Sequence, residues 1–171
     1  AIGGTMLSPE IVTYQYIAIA LVLGTIIGVP MALMPMTAVP QRTALSHAFG
    51  ALAAALVGAA EYYLRQAELD RFTMFALVVE VLLGSLTFSA SLMAFGKLQE
   101  ILPQRPITYK GQNFVNLGVL AVAILLGVGL VVSPTNGVLF PIMVILAFTF
   151  GIMLIVPIGG ADMPTVIALL N

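Results

Sequence analysis

Two long stretches of this sequence contain no charged residue, and they constrain the fold more than any other feature. The first lies between Glu10 and Arg42, and the second lies between Lys110 and Asp162. A helix needs about 20 mostly apolar residues to cross the ~30 Å hydrocarbon core of a bilayer. The second stretch is long enough for two such helices, and turn-forming residues at 133–137 divide it in the middle. These stretches predict membrane-spanning helices.

The composition indicates the same class of protein. Only 8% of the 171 residues are charged and 61% are hydrophobic, whereas soluble domains carry about 25% charged residues. The chain has no cysteine, which excludes disulfides and thiolate metal sites. Its net charge of −1 and its lack of a basic run argue against nucleic acid as a partner. We therefore expect an all-α membrane protein, a polytopic bundle of transmembrane helices in a lipid bilayer.

Turn signals and charges divide the chain into five full spans and the start of a sixth. Pro30 and Pro35 are expected to bend and then end the first helix. We treat residues 1–171 as one transmembrane domain and as a fragment of a longer subunit. The predicted helices cover about 9–34, 40–64, 72–96, 112–132 and 138–158, with a truncated helix at 163–171.

The loops differ in their content of Lys and Arg, which indicates an orientation. Loops on the cytoplasmic side of membrane proteins carry an excess of these residues. The loops after the first and third predicted helices therefore lie on the cytoplasmic side, because they hold Arg42, Lys97, Arg105 and Lys110, whereas the loop after the second helix holds Arg65 and Arg71.

The only histidine of the chain, His47, lies within the second predicted helix. It is seven residues beyond Pro40, and therefore about 10 Å along the helix at 1.5 Å per residue. Ionisable side chains at membrane depth are costly and are functional candidates by default. Imidazole changes its charge near neutral pH, so we expect His47 to take up and release protons. The alternative is a neutral histidine bonded to a backbone carbonyl, which would hold two helices together.

Four residues of the third predicted helix share one helical face. Glu80, Gly84, Thr87 and Ser91 are spaced by four, three and four residues. We expect this face to point into the bundle interior or a wet path, which makes Glu80, Thr87 and Ser91 candidates for a proton pathway. The alternatives are small-residue packing with hydroxyls bonded one turn back and, for Glu80, an ion pair or a protonated carboxyl.

The start of the last helix resembles the start of the second. A proline, an Ala-Leu pair and a final polar residue recur at equal spacing in residues 39–47 and 163–171. Asn171 is therefore expected at the depth of His47, where its amide can donate or accept a hydrogen bond.

The segment before that helix contains Gly159, Gly160 and Asp162. Asp162 is predicted to cap the helix, and its place at the cytoplasmic rim also suits contact with a soluble domain. The two glycines either provide flexibility there or only turn the chain.

Three segments resemble the membrane domain of the β subunit of proton-translocating nicotinamide nucleotide transhydrogenases. The first is SHAFG at 46–50 with AAALVG at 53–58, the second is TFSASLMAFGKL at 87–98, and the third is IGGADMP at 158–164, with the closing Leu-Asn. They occur in the family's order and cover most of the chain from Gly24 onward. The apolar, proline-rich residues 30–35 depart from relatives, which tend to be basic there.

The resemblance implies an enzyme complex that passes a hydride between NAD(H) and NADP(H), bound by separate soluble domains, while the membrane domain moves a proton. It assigns the family's membrane histidine to His47, its helix serine to Ser91, its membrane asparagine to Asn171 and its loop aspartate to Asp162. It also implies α-subunit membrane helices and a second protomer as partners. The location implied is the inner (plasma) membrane of a cell, or the mitochondrial inner membrane in a eukaryote.

The chain has neither a G-x-G-x-x-G fingerprint after a strand nor a P-loop. We therefore expect no cofactor, no metal and no catalytic residue for hydride transfer in this segment. Two other classes stay open from the residues alone. One is a proton-coupled secondary transporter with a substrate site between broken helices, and the other is a purely structural membrane subunit.

Overall fold

A computed structural model describes residues 14–170, and its regular structure in that range is entirely helical. The predicted start of the first helix near Pro9 and the predicted site residue Asn171 lie outside the described residues. The helices are α1 (Gln15–Ala32), α2 (Val39–Arg65), α3 (Arg71–Leu98), α4 (Gln112–Val132), α5 (Leu139–Ile155) and α6 (Met163–Leu170), with 3₁₀ turns at Met36–Ala38 and Gly160–Asp162.

Four helices, α1 to α4, are each long and apolar enough to cross a membrane. The 17 residues of α5 form a fifth possible span only together with the segment Gly160–Leu170, from which α5 is bent by 108°. The predicted fold class, a polytopic helical membrane protein, is confirmed. The predicted fifth span and the start of the sixth correspond to α5 and α6, which form this bent pair.

The bend follows from the sequence of residues 156–162, which form the break between α5 and α6. The helix predicted over 138–158 ends at Ile155, because Pro157 has no N–H to continue the helical hydrogen bonds. Gly159 then takes an extended conformation (φ −72°, ψ 154°), and the 3₁₀ turn Gly160–Asp162 leads into α6.

The described residues divide into two compact units, one ending at Val39 and one beginning at Pro40. In the first unit, α1 has no buried residue, contains Pro30 in its last turn and ends at Ala32. The expectation of one transmembrane domain over 1–171 stays a prediction.

In the second unit, α3 lies at the centre and packs against α4, α5 and α6. Near its start, Tyr62 of α2 is fully buried, stacks on Phe140 with ring centroids 4.2 Å apart, and donates a hydrogen bond to Pro134 O at 2.9 Å. The opposite end of the bundle holds a second cluster of buried apolar side chains, formed by Ala44, Ala90, Ala94, Ile155, Met163 and Ile167.

Glycines allow close approach where α3 crosses its neighbours. A Cβ on Gly151 of α5 would collide with Ser89 Oγ and Leu86 O of α3. A Cβ on Gly58 of α2 would likewise meet the side chain of Val81. Small residues of this kind bring helix backbones together in membranes, so these crossings fix the register of α2, α3 and α5.

Candidate functional site

The contact between α2 and α3 brings His47 and Ser91 to one depth. A Cβ on Gly84 would lie 2.9 Å from both Ala51 O and Ala55 N, so these residues mark where the two antiparallel helices face each other. His47 is one turn before Ala51, and Ser91 is about two turns after Gly84. Both side chains therefore belong to the faces that α2 and α3 turn toward each other.

One ring nitrogen of His47 and the hydroxyl oxygen of Ser91 are buried without a partner among the described residues. His47 is half-buried, Ser91 is fully buried, and neither His47 Nδ1 nor Ser91 Oγ has a hydrogen bond. Ser89 behaves differently, since its hydroxyl donates to Leu86 O at 3.0 Å and contacts Phe148 O at 2.9 Å. More than 90% of buried polar groups in proteins are hydrogen-bonded. His47 Nδ1 and Ser91 Oγ therefore each need a hydrogen-bond partner from water or from a further polar group.

The rest of the predicted polar face is only partly buried. Gly84 is buried and Thr87 is half-buried, but Glu80 is exposed on the described part of the chain. At this level the next side chain, Val81, makes the close contact with Gly58, and the predicted place of Glu80 in a proton pathway stays a prediction. Glu80 lies at the edge of that contact, with its carboxylate beside Gly58.

Two further buried polar atoms lie on the same helices and were not predicted. Gln41 Oε1 and Ser85 Oγ lack a hydrogen-bond partner among the described residues. Ser85 is 1% exposed and lines a cavity of about 310 Å³ between α2, α3 and α5, together with Tyr63 and Phe140. A serine between apolar residues of a helix gives no sequence signal for such a position, since most serines there bond to their own helix.

The predicted contact residues lie at the break between α5 and α6. Gly160 N donates to Gln104 O at 2.9 Å, and a Cβ on Gly159 would be 3.6 Å from Pro106 Cγ. The loop after α3 therefore covers this side of the break. Asp162 is exposed, and the predicted capping role is wrong, because no described N–H donates to its carboxylate. A capping residue needs extended backbone, which Gly159 has, whereas Asp162 is already within the 3₁₀ turn.

Sequence reasoning also missed Lys97. Its side chain is 2% exposed, and Nζ donates to Ile155 O, Val156 O and Ile158 O at 3.1, 2.7 and 2.7 Å. In the sequence, a lysine between a predicted helix end and a polar loop is typical of a solvated charge. Only the tertiary contact with the end of α5 reveals its position.

The helices of residues 14–170 define a polytopic α-helical membrane protein, in which α2 and α3 carry buried polar atoms without a partner among these residues and α5 and α6 form a bent pair. Within residues 14–170, no group of three His, Cys, Asp or Glu side chains could hold a metal ion. The family described as NAD(P) transhydrogenase beta subunit matches residues 1–171, and the chain belongs to this family. The resemblance drawn from the three sequence segments is therefore confirmed.

Similar proteins agree with this family. A protein of Rhodospirillum rubrum named NAD(P) transhydrogenase subunit beta is 38% identical over 179 aligned positions, which cover 100% of this chain and 38% of the relative. A sequence from a defined strain of the same organism, with the same name, gives the same values. The chain thus spans well under half the length of the curated relatives it matches.

Proposed function

We propose that this chain is the proton-conducting membrane part of an NAD(P) transhydrogenase. Proton passage through it is coupled to hydride transfer between NAD(H) and NADP(H), which other domains of the complex bind. Family membership and the names of the relatives support this assignment. The observation that carries it is the pair of buried, unpartnered polar atoms, His47 Nδ1 and Ser91 Oγ, on facing helices.

In the proposed mechanism His47 is the proton carrier. Because helix backbones satisfy their own hydrogen bonds inside a bilayer, side chains and water form the only polar route across it. One ring nitrogen of His47 takes up a proton and the other releases one, while the Ser91 hydroxyl orients the ring and accepts or passes the proton. The oxygens of Gln41 and Ser85, which have no partner among the described residues, lie six residues from His47 and Ser91, and therefore about 9 Å farther along α2 and α3 in opposite directions. Asn171 and Thr87 are further proposed members.

Coupling requires two states in which His47 is open to different sides of the membrane, each favoured by a different nucleotide state. The break that contains Gly159, Gly160 and Asp162, with the loop that covers it, is the proposed contact with the nucleotide-binding domains. The exposed carboxylate of Asp162 is free to meet a basic group there. The α-subunit helices and a second protomer are the other proposed partners, in the inner membrane of a cell or of a mitochondrion.

A secondary transporter would also use a broken helix pair, which α5 and α6 form. Its substrate site would need convergent polar groups, however. The cavity between α3 and α4, of about 420 Å³, is lined by apolar side chains and Gly127 alone. This cavity therefore offers a polar solute no hydrogen-bonding side chain.

The test uses the assembled enzyme in vesicles, with hydride transfer and proton uptake measured together. His47→Ala abolishes proton-coupled transhydrogenation while the protein still inserts, and Ser91→Ala gives a milder loss of about 100-fold, the lower end of what a positioned proton-transfer group contributes. Ser89→Ala is the matched control, because it removes a buried hydroxyl of the same helix whose bonds are satisfied; it leaves the number of protons moved per hydride unchanged. Wild-type coupled rates in the His47→Ala enzyme would exclude His47 as the carrier.

A further inference from the structure

Lys97 is the one charged side chain that is buried in the described part of the chain. It lies in the last turn of α3, beside the point where α5 ends and the chain turns toward α6. None of the carboxylates in residues 14–170 forms an ion pair with it. Its partners among these residues are therefore backbone carbonyls.

The ammonium of Lys97 has as many N–H donors as there are carbonyl acceptors around it, and its positive charge faces a region of partial negative charge. It has three N–H donors and no acceptor, and it donates to three carbonyl oxygens at 2.7–3.1 Å. These carbonyls belong to the end of α5 and the following break, where the N–H partners of a continuing α-helix are missing; Ile155 O accepts from Ile158 N at 3.0 Å instead. The C-terminal end of a helix also carries partial negative charge, which a cation stabilises.

The same break is bonded to the loop after α3. Ile107 N donates to Val156 O at 3.2 Å, so this carbonyl accepts from both Ile107 and Lys97. Farther along, Gly160 N donates to Gln104 O at 2.9 Å. The Lys97 ammonium is thus the centre of a junction that joins α3, the end of α5 and the loop that covers the break.

We propose that Lys97 is a positioning residue for proton-coupled transhydrogenation, an inference that rests on the proposed function. Its ammonium fixes the direction in which the chain leaves α5 and so determines where Asp162 and α6 lie. Among the described residues, Ile155 O and Val156 O also accept from Ile158 N and Ile107 N, whereas the carbonyl of Ile158 accepts from Lys97 alone. A neutral side chain of equal length leaves this carbonyl unpaired, and a carbonyl unpaired away from water is costly. Without the ammonium, the backbone of the break rotates until other donors reach its carbonyls, and the position of α6 changes with it.

Chemical rescue tests whether the charge matters. Lys97→Ala and Lys97→Met are prepared in the complete enzyme, and hydride transfer is measured in detergent, where added amine cannot collapse a proton gradient. Both variants lose at least about tenfold in rate, the cost of one charge-assisted hydrogen bond. Methylammonium restores much of the rate in Lys97→Ala, which leaves room for it, and none in Lys97→Met.

Matched variants separate this role from packing. Arg71→Ala removes a positive charge from the exposed start of the same helix and keeps the wild-type rate. Lys97→Gln keeps two N–H donors without the charge, loses an intermediate amount, and replaces Lys97→Ala if that variant does not accumulate in the membrane. Full activity of Lys97→Met or of Lys97→Gln would show that the side chain only fills space, and failure of methylammonium to restore Lys97→Ala would also overturn the proposal.

A disulfide crosslink between the break and the loop after α3 measures the position of the break directly, and it requires neither nucleotide nor enzymatic activity. A Cβ on Gly160 would lie 3.2 Å from Gln104 Cβ, close to the 3.5–4.5 Å that disulfides span, and this segment has no cysteine of its own. The pair Gln104→Cys and Gly160→Cys is oxidised with copper-phenanthroline in membranes. The disulfide forms readily beside Lys97, forms more slowly in the Lys97→Ala background, and recovers with methylammonium.

The crosslink separates failure of this inference from failure of the proposed function. Equal disulfide formation with and without Lys97 would refute its positioning role, whatever the enzyme does. Slower formation together with wild-type hydride transfer would mean that the position of the break does not matter for the reaction, and this result also overturns the proposal.

Discussion

The crossing of α3 and α5 predicts a large effect for one added methyl group. Replacing Gly151 by Ala places a Cβ against Ser89 Oγ and Leu86 O. Ser89 can rotate or be removed, but the Leu86 carbonyl belongs to the backbone of a long buried helix and can yield only if the two helices separate. Overpacking costs about 1–3 kcal/mol, and a backbone contact belongs at the upper end of that range.

The prediction is measured as heat resistance in detergent. A loss of about 3 kcal/mol lowers the midpoint of thermal unfolding by about 6–12 °C in a chain of this size. Gly118→Ala is the control in α4, because no atom lies within 4 Å of its added Cβ. The change from glycine to alanine in a helix interior is favourable by about 0.5–1 kcal/mol, so this variant keeps or slightly raises the midpoint.

The double variant Ser89→Ala with Gly151→Ala distinguishes the two clashes. Removal of the hydroxyl relieves one of them and leaves the Leu86 carbonyl in place, so the double variant regains only part of the lost stability. An unchanged midpoint for Gly151→Ala, or full recovery in the double variant, would refute the close backbone crossing of α3 and α5.

Two further predictions concern the ends of α2 and α3. Tyr62→Phe keeps the ring on Phe140 but removes the hydrogen bond to Pro134 O, and it lowers stability by about 1 kcal/mol; Tyr63→Phe, at an exposed ring, does not change the unfolding midpoint. Hydrogen bonds from the Thr73 hydroxyl and from the N–H groups of Thr73 and Phe72 lower the pKa of Asp70 from its usual 3.8. The stability that these hydrogen bonds give the folded protein is complete above pH 3.8 and decreases as the pH falls through the lowered pKa of Asp70. Between pH 5 and pH 2, Asp70→Asn therefore loses less stability than the wild-type protein. Equal acid sensitivity of the two proteins would contradict this assignment.

The bilayer explains why the spans were predictable. Its thickness sets the length of apolar sequence that a span needs, so Gly111 to Val132 and the turn at 133–137 could be assigned without knowledge of any neighbour. Periodicity also predicted that Gly84 and Ser91 share a buried face, because that pattern is a property of one helix. Both inferences use only local sequence.

The features that could not be predicted concern residues whose surroundings come from another part of the chain. Glu80 shares a helical face with Ser91, but the contact of Val81 with Gly58 leaves Glu80 at the edge of the crossing of α2 and α3. Asp162 follows a glycine pair as a capping residue often does, yet the 3₁₀ turn before α6 takes it out of the capping geometry. The burial of Lys97 depends on carbonyls nearly 60 residues away, in the break after α5.

The rigidity of α3 connects the two polar features of this bundle. Ser91 and Lys97 lie six residues apart on one unbroken helix, and therefore about 9 Å apart along its axis. Beside Ser91 and one turn further along α3, Ala90 and Ala94 pack in one cluster with Met163 of α6 and with Ala44, which lies one turn before His47. On the proposed function, a change in direction at the Lys97 junction would move Met163 within this cluster and shift the packing beside Ala44. Because close-packed cores switch between arrangements rather than stretch, we propose that a contact made at the break alters the access of His47 through this cluster.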